Sequence, residues 1–224
     1  MRTIIIILFT LSLSACATSS GFNRDSLRNS LGNEKKVITN GEIKKALEAK
    51  AQLPKPFKLA IYTRMHDWRV NWNEEDKKEL HGLTESLINK GVVSEVVYLN
   101  SSVMEGNDNF AIRLAAARTG SDAVLIIHGD GSIDRYNNYF GSTYFLIVTP
   151  FFVPGTVSDG LFIVSASIWD VRNQYIYLTA EAEGMASKTG PGFLLEDKHV
   201  MDEAKSKSVK LLRNEIESRL TSMK

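Results

Sequence analysis

Apolar and polar residues alternate in blocks along most of this chain, and the block spacing predicts its elements. Phe57–Thr63 reads as a strand. Asn73–Lys90 reads as a helix with Leu80, Leu83, Leu87 and Ile88 on one face and Gly91 as its stop. Val92–Leu99 is a second strand and Asp108–Thr119 an alanine-rich helix closed by Gly120. Asp122–His128 is apolar on both faces, which predicts a central strand. Strands alternating with helices in this way imply right-handed crossovers and a largely parallel sheet.

Beyond His128 the pattern changes. Leu161–Trp169 and Tyr175–Glu183 alternate as two strands of a hairpin joined by Asp170-Val171-Arg172-Asn173-Gln174. Phe162, Val164, Ala166 and Ile168 share a face with Ile176, Leu178, Ala180 and Ala182. The opposite face carries Ser165, Ser167, Thr179, Glu181 and Glu183 and is expected to be wet. Glu196–Met223 predicts a long last helix with Met201, Ala204, Leu211, Leu212, Ile216 and Leu220 as its core stripe. Between these parts lies Tyr136–Val157, as apolar as a core strand, although Pro150 and Pro154 exclude a long central strand or helix. Two readings stay open for it. One is a buried strand with its loop. The other is an exposed apolar loop that touches membrane or a partner protein through Tyr139, Phe140, Tyr144, Phe145, Phe151 and Phe152.

The first residues carry a different pattern. After Arg2, Ile4–Leu13 is nearly unbroken apolar chain, too short for the roughly 20 residues of a membrane span. Its length and polarity suit a secretory signal. It ends in Leu13-Ser14-Ala15-Cys16, which resembles the lipobox of bacterial lipoproteins, where the thiol is acylated and the chain is cut just before it. That resemblance implies anchoring by several acyl chains, which bind durably where a single chain binds marginally. With Ala17-Thr18-Ser19-Ser20 after the cysteine, and no aspartate, it implies the periplasmic face of the outer membrane. Residues 16–38 then read as the acylated cysteine and a flexible polar tether lifting the domain off the bilayer. Residues 39–56 read as a capping box, Thr39 to Glu42, with a short helix through Gln52 and a proline linker. The domain itself covers 57–224.

Composition removes several function classes. Cys16 is the only cysteine, so acylation leaves no disulfide, thiolate metal site or cysteine nucleophile. Basic and acidic residues, 27 against 26, balance once Arg2 leaves with the signal, so no general field draws nucleic acid. The four histidines lack metal-site spacing, and no cofactor motif is present. Gly129-Asp130-Gly131 lacks the helix of a phosphate loop. Asp130, Ser132 and Asp134 begin like a calcium loop, but Arg135 and Gly141 stand where glycine and glutamate are required. A solvated turn is the expectation there. Arg64, His66 and His128 fall at the carboxyl edge of the sheet, where open α/β sheets bind ligands. They form the candidate edge for an anion or small molecule, or for a hydrolase. No serine has a nucleophile-elbow setting, and an enzyme is not the expectation.

The phrases from Ala117 to Leu125 (ARTGSDAVL), the hairpin Ser167–Asn173 with Gly184 beyond it, and Val153-Pro154-Gly155 are similar to a periplasmic α/β module. That module occurs in the curli-secretion lipoprotein and in the N-terminal domain of the Tol translocation propeller. Over most of the mature chain the sequence resembles the rhombotarget-type outer-membrane lipoproteins. Arg172-Asn173 stands where these modules often have Thr-Gly. The resemblance implies an architecture and no catalytic residue. The expectation is therefore one mixed α/β domain of two or three layers, in the order β-α-β-α-β-β-β-α. It would act without catalysis as a binding or assembly module of the envelope, held to the membrane through Cys16 and engaging an envelope protein, with homo-oligomers left open.

Overall fold

The two most apolar runs, Phe57–Met65 (β1) and Ala123–Asn137 (β3), lie side by side in parallel register from Leu59↔Ala123 to Met65↔Gly129. All other elements are placed by this pair. The computed structural model describes residues 18–32, 39–65, 72–104, 106 and 108–222. Helices α1 (Arg24–Leu31) and α2 (Asn40–Glu48) precede β1. Then come α3 (Glu74–Asn89), β2 (Val93–Tyr98), α4 (Asn109–Arg118) and β3. The antiparallel strands β4 (Thr156–Asp170) and β5 (Ile176–Gly190) and the long α5 (Asp197–Ser222) complete the chain. The sheet order is β2-β1-β3-β4-β5, parallel through β3 and antiparallel beyond it. This is a mixed α/β domain whose strand and helix order from β1 onward is the one the hydrophobic pattern predicts.

Local chemistry sets the helix ends. Asn73 and Asp76 form a reciprocal capping box at α3, the Asp108 carboxylate accepts from the Ala111 amide at α4, and Thr39 with Glu42 caps α2. Gly91 and Gly120 turn the chain at φ +68° and +71° after α3 and α4, where any other residue would be strained. Helix α2 stops at Glu48, short of the expected Gln52. The Gln52 and Leu53 amides instead donate to the Tyr177 hydroxyl on β5 (2.8 and 3.1 Å).

Alternation along the strands divides the core in two. On one face Leu59, Ile61, Leu125, Ile127, Phe162, Val164 and Ile168 pack under Leu80, Leu83 and Leu87 of α3 and Val200, Ala204, Leu212, Ile216 and Leu220 of α5. On the other, α4 covers Ala60, Tyr62, Val124 and Ile126, while α1 covers Leu161 and Ile163. The domain thus has three layers. Three expected core positions are solvent-facing: Ile88 at 42%, Ile176 at 43% and Leu211 at 54% exposure. Leu211 lies off the buried stripe that Leu212, Ile216 and Leu220 form on this helix and faces water. In α5 a lysine joins the stripe instead. Lys205 is fully buried and reaches Asp76 of α3 at 2.7 Å, the ion pair lying between the two helices.

Two corrections concern the extent of the elements. Gly129-Asp130-Gly131 is not a turn: β3 continues through it to Asn137 and pairs with β4 as far as Thr156. The glycines are there for packing. A Cβ on Gly129 would meet Phe162 and Met65 at 2.7 Å, and one on Gly131 would meet Met201 at 2.6 Å. β4 and β5 likewise run on to Thr156↔Gly190, so three strands extend past the parallel part as an arm. The stretch read as a tether holds α1, which is docked on the sheet.

Candidate functional site

At the end of the arm, β3 and β4 are joined by two short 3-10 turns, Tyr139–Phe145 and Thr149–Phe151. Between Arg135 and Asp159 the chain carries no charged residue. Pro150 and Pro154 preclude a continued ladder, so the backbone folds back on itself and satisfies its polar groups locally. Asn138 accepts from the Phe140 amide (2.9 Å) and donates to the Pro154 carbonyl (3.0 Å). Ser142 and Thr143 donate to the Tyr139 and Phe140 carbonyls, both at 2.7 Å, and Thr149 donates to the Thr143 carbonyl at 2.6 Å. The half-buried Tyr144 hydroxyl donates to the Val153 carbonyl (3.0 Å) and accepts from the amides of Gly155 (2.9 Å) and Gly192 (3.0 Å). Gly141 and Gly155 are in backbone contact, and a Cβ on Gly155 would lie 2.5 Å from the Gly141 nitrogen.

With the polar groups turned inward, the apolar side chains face out. Tyr139, Phe145, Ile147 and Phe152 are 71 to 85% exposed, and Phe140, Leu146, Val148 and Phe151 are exposed as well. Of the aromatic residues expected to make up this loop, all but Tyr144 are exposed. Phe193 and Leu194 join from the β5–α5 connection: the Phe193 amide donates to the Pro150 carbonyl (3.2 Å), and its ring lies 4.8 Å from that of Phe151. These two were not expected here, since only the long-range pairing of β4 with β5 brings them to the tip.

The N-terminal segment approaches the same end. Asp134, buried on β3, accepts from the Ser19 hydroxyl (2.5 Å), the Ser20 hydroxyl (3.0 Å) and the Gly21 amide (2.9 Å). These hydrogen bonds, Ser19 foremost, hold its carboxyl below the usual carboxylate range against the opposing effect of burial. The chain then enters α1, capped by Asn23 accepting from the Ser26 amide. Leu27 and Leu31, one turn apart, seat on Leu161 and Ile163. Arg24 holds Glu183 through Nε and Nη2 (3.0 and 2.7 Å), lowering its pKa. Arg28 meets Glu181 at 2.8 Å, and Ser30 donates to Asp130. The polar face of β4 and β5, expected to be wet, is therefore partly roofed by α1.

Of the expected ligand edge, Arg64 and His128 are among the described residues and do not share a depression. Arg64 and His128 are lateral partners in the β1–β3 register and face the α1 side of the sheet. His128, however, is 8% exposed, and its Nδ1 is 3.1 Å from the Leu31 carbonyl of α1. It lines one side of a shallow depression with Ser165, Ser167, Thr179, Glu181 and Arg219, which Arg64 does not reach. His66 and Cys16 lie outside the described residues. Among the described residues no cluster of His, Asp or Glu is arranged to hold a metal ion, and no helix is long and apolar enough to cross a membrane.

No protein-family model and no curated protein matches the chain. Among solved structures it is similar to the PelC dodecamer from Paraburkholderia phytofirmans, at 12% identity and TM-score 0.36, covering 78% of this chain and 94% of that one. It is similar to a minor lipoprotein from Acinetobacter baumannii, at 13% identity and TM-score 0.38, covering 76% and 94%. A third similarity is to the LpoB C-terminal domain from Salmonella enterica, at 12% identity and TM-score 0.31, covering 72% and 98%.

Proposed function

We propose that this chain is a lipoprotein of the bacterial envelope, acylated at Cys16 in the outer membrane and facing the periplasm. It acts without catalysis, as a binding or assembly module. Its working surface is the tip formed by Tyr139–Val153 with Phe193 and Leu194. The observation that carries this reading is the inversion at the tip: the hydroxyls of Ser142, Thr143, Tyr144 and Thr149 are bonded to the tip's own carbonyls, and a set of large apolar side chains is left in water. Isolated exposed apolar residues are ordinary, but a patch of this density marks a contact surface. The lipobox at Leu13–Cys16 supports the location.

The test replaces Phe145–Phe152 by a Gly-Ser linker in the acylated full-length chain. The expected result is a cooperatively folded domain whose photo-crosslinking to isolated envelope membranes falls about tenfold, that is by about 1.4 kcal/mol of contact or more. Unfolding of the variant would make the stretch part of the core and sink the proposal, and so would unchanged crosslinking.

A further inference from the structure

We infer that the occupant of the tip is the phospholipid leaflet that receives the acyl chains of Cys16, so that lipid anchor and apolar tip form one membrane-contact surface. This rests on the reading of Cys16 as the acylated residue and of the tip as a contact surface. The path of the chain carries it. Ser19, Ser20 and Gly21 are held on Asp134, and Asp134 lies three residues along β3 from Asn137, where the tip begins. At the strand rise that is about 10 Å. Cys16 precedes Ser19 by three residues, so covalent geometry keeps it within roughly 11 Å of that clamp. From Ser19 the chain runs away from the tip into α1, toward Leu31 over His128. An acyl group on Cys16 would therefore enter the bilayer within a short reach of the tip end of the domain while the Asp134 clamp is closed.

The chemistry of the tip points to lipid rather than protein. Protein interfaces combine an apolar centre with a rim of hydrogen-bonding groups. Here the hydroxyls of Ser142, Thr143, Tyr144 and Thr149 all donate to carbonyls of the tip itself, and no charged residue lies between Arg135 and Asp159. Hydrocarbon offers backbone groups no partner, so a segment that enters it must satisfy them internally. Exposed Tyr139, Phe140, Phe145, Phe151 and Phe152 suit the interfacial depth that aromatic rings prefer. Anchoring at the same end makes insertion an intramolecular step, favoured by a high local concentration of lipid.

Because the only native thiol is Cys16, acylation leaves an Ile147→Cys variant with a single reactive cysteine. Ile147 is 85% exposed, so the change removes no packing. An Asn173→Cys variant marks the opposite end of the sheet, at the β4–β5 turn. Each acylated variant carries an environment-sensitive fluorophore and is bound to vesicles of phosphatidylethanolamine and phosphatidylglycerol containing a doxyl-labelled lipid. The expected result is quenching several-fold stronger at 147 than at 173, with blue-shifted emission at 147. Equal quenching at the two positions overturns the inference. If 147 is shielded from iodide in isolated envelope membranes but not in vesicles, the lipid assignment fails and the contact surface stands with a protein partner. If 147 is open to iodide in both, both readings fail. Labelling at Cys16 would show a free thiol and overturn the anchor together with the inference.

Discussion

Two acidic side chains on neighbouring layers illustrate how one residue decides what a segment does. Asp134 gathers three donors from residues 19–21 and thereby makes the segment expected to be a tether a docked strap. Its folded pKa is depressed, so the clamp contributes fully above the ordinary value of 3.8 and is lost as pH falls below it, through the folded pKa. The Gly21 amide shift, followed by NMR on acidification, should report that release. Asp134→Ala should release the strap at neutral pH, at a cost of about 1–3 kcal/mol that is local to residues 18–31. Hydrogen exchange should then rise in that segment and not in β1 or β3. Asp76 performs a different task. It caps α3 and receives the buried ammonium of Lys205. Lys205→Met leaves Asp76 buried without that charge and should cost about 3–5 kcal/mol in urea unfolding. Adding Asp76→Asn should recover part of the loss. Recovery of none would mean that the pair is not the source of the destabilisation.

At the scale of elements, the arm made by the far halves of β3, β4 and β5 needs small residues wherever helix α5 crosses it. Gly184 lies against α5 so closely that a Cβ would fall on the Ala204 carbonyl, with the Ser208 nitrogen 2.7 Å away. Neither is the far end of a flexible side chain, so the helix would have to move. Gly184→Ala should destabilise by about 1–3 kcal/mol or more, lowering Tm by several degrees for a domain of this size. A thermal melt unchanged from wild type would show that α5 is not seated as described. Helix α1 belongs to the same scale. Its two leucines and two arginines match Leu161, Ile163, Glu181 and Glu183 across the sheet, a face whose polarity in sequence reads as solvated because its cover comes from residues more than a hundred positions away.

For the whole molecule, the consequence is an orientation. The tip and residues 19–21 lie at one end, and the β4–β5 turn and the β1 entry lie at the other. With an acyl anchor on Cys16, as proposed, the domain would stand on its apolar end rather than swing from a leash. Because the tip is uncharged, its contribution to vesicle binding should be nearly indifferent to ionic strength. Between about 0.1 and 1 M salt, where the Debye length shrinks from roughly 10 to 3 Å, the gain over a Phe145→Ser/Ile147→Ser/Phe152→Ser variant should change less than twofold. A gain that collapses with salt would point to charged groups elsewhere as the source of binding.

Element order from β1 onward was legible from the chain alone, whereas α1 was not. Hydrophobic period, glycine stops and the capping box at Thr39 act over a few neighbours, so pattern and local hydrogen bonding determine them without reference to the rest. The apolar density of Tyr139–Val153 was equally visible, but whether it faced core or solvent was not. That depended on the arm, which carries the segment beyond the described helices that pack on the sheet. Strand length past Gly129 and Gly131 hid behind residues that normally signal turns, because their purpose is to admit Phe162 and Met201 from elsewhere. The approach of residues 19–21 to the tip end was likewise a tertiary decision. A polar stretch such as Ser19-Ser20-Gly21 reads as linker until Asp134, far along the chain, supplies the acceptor that fixes where it begins.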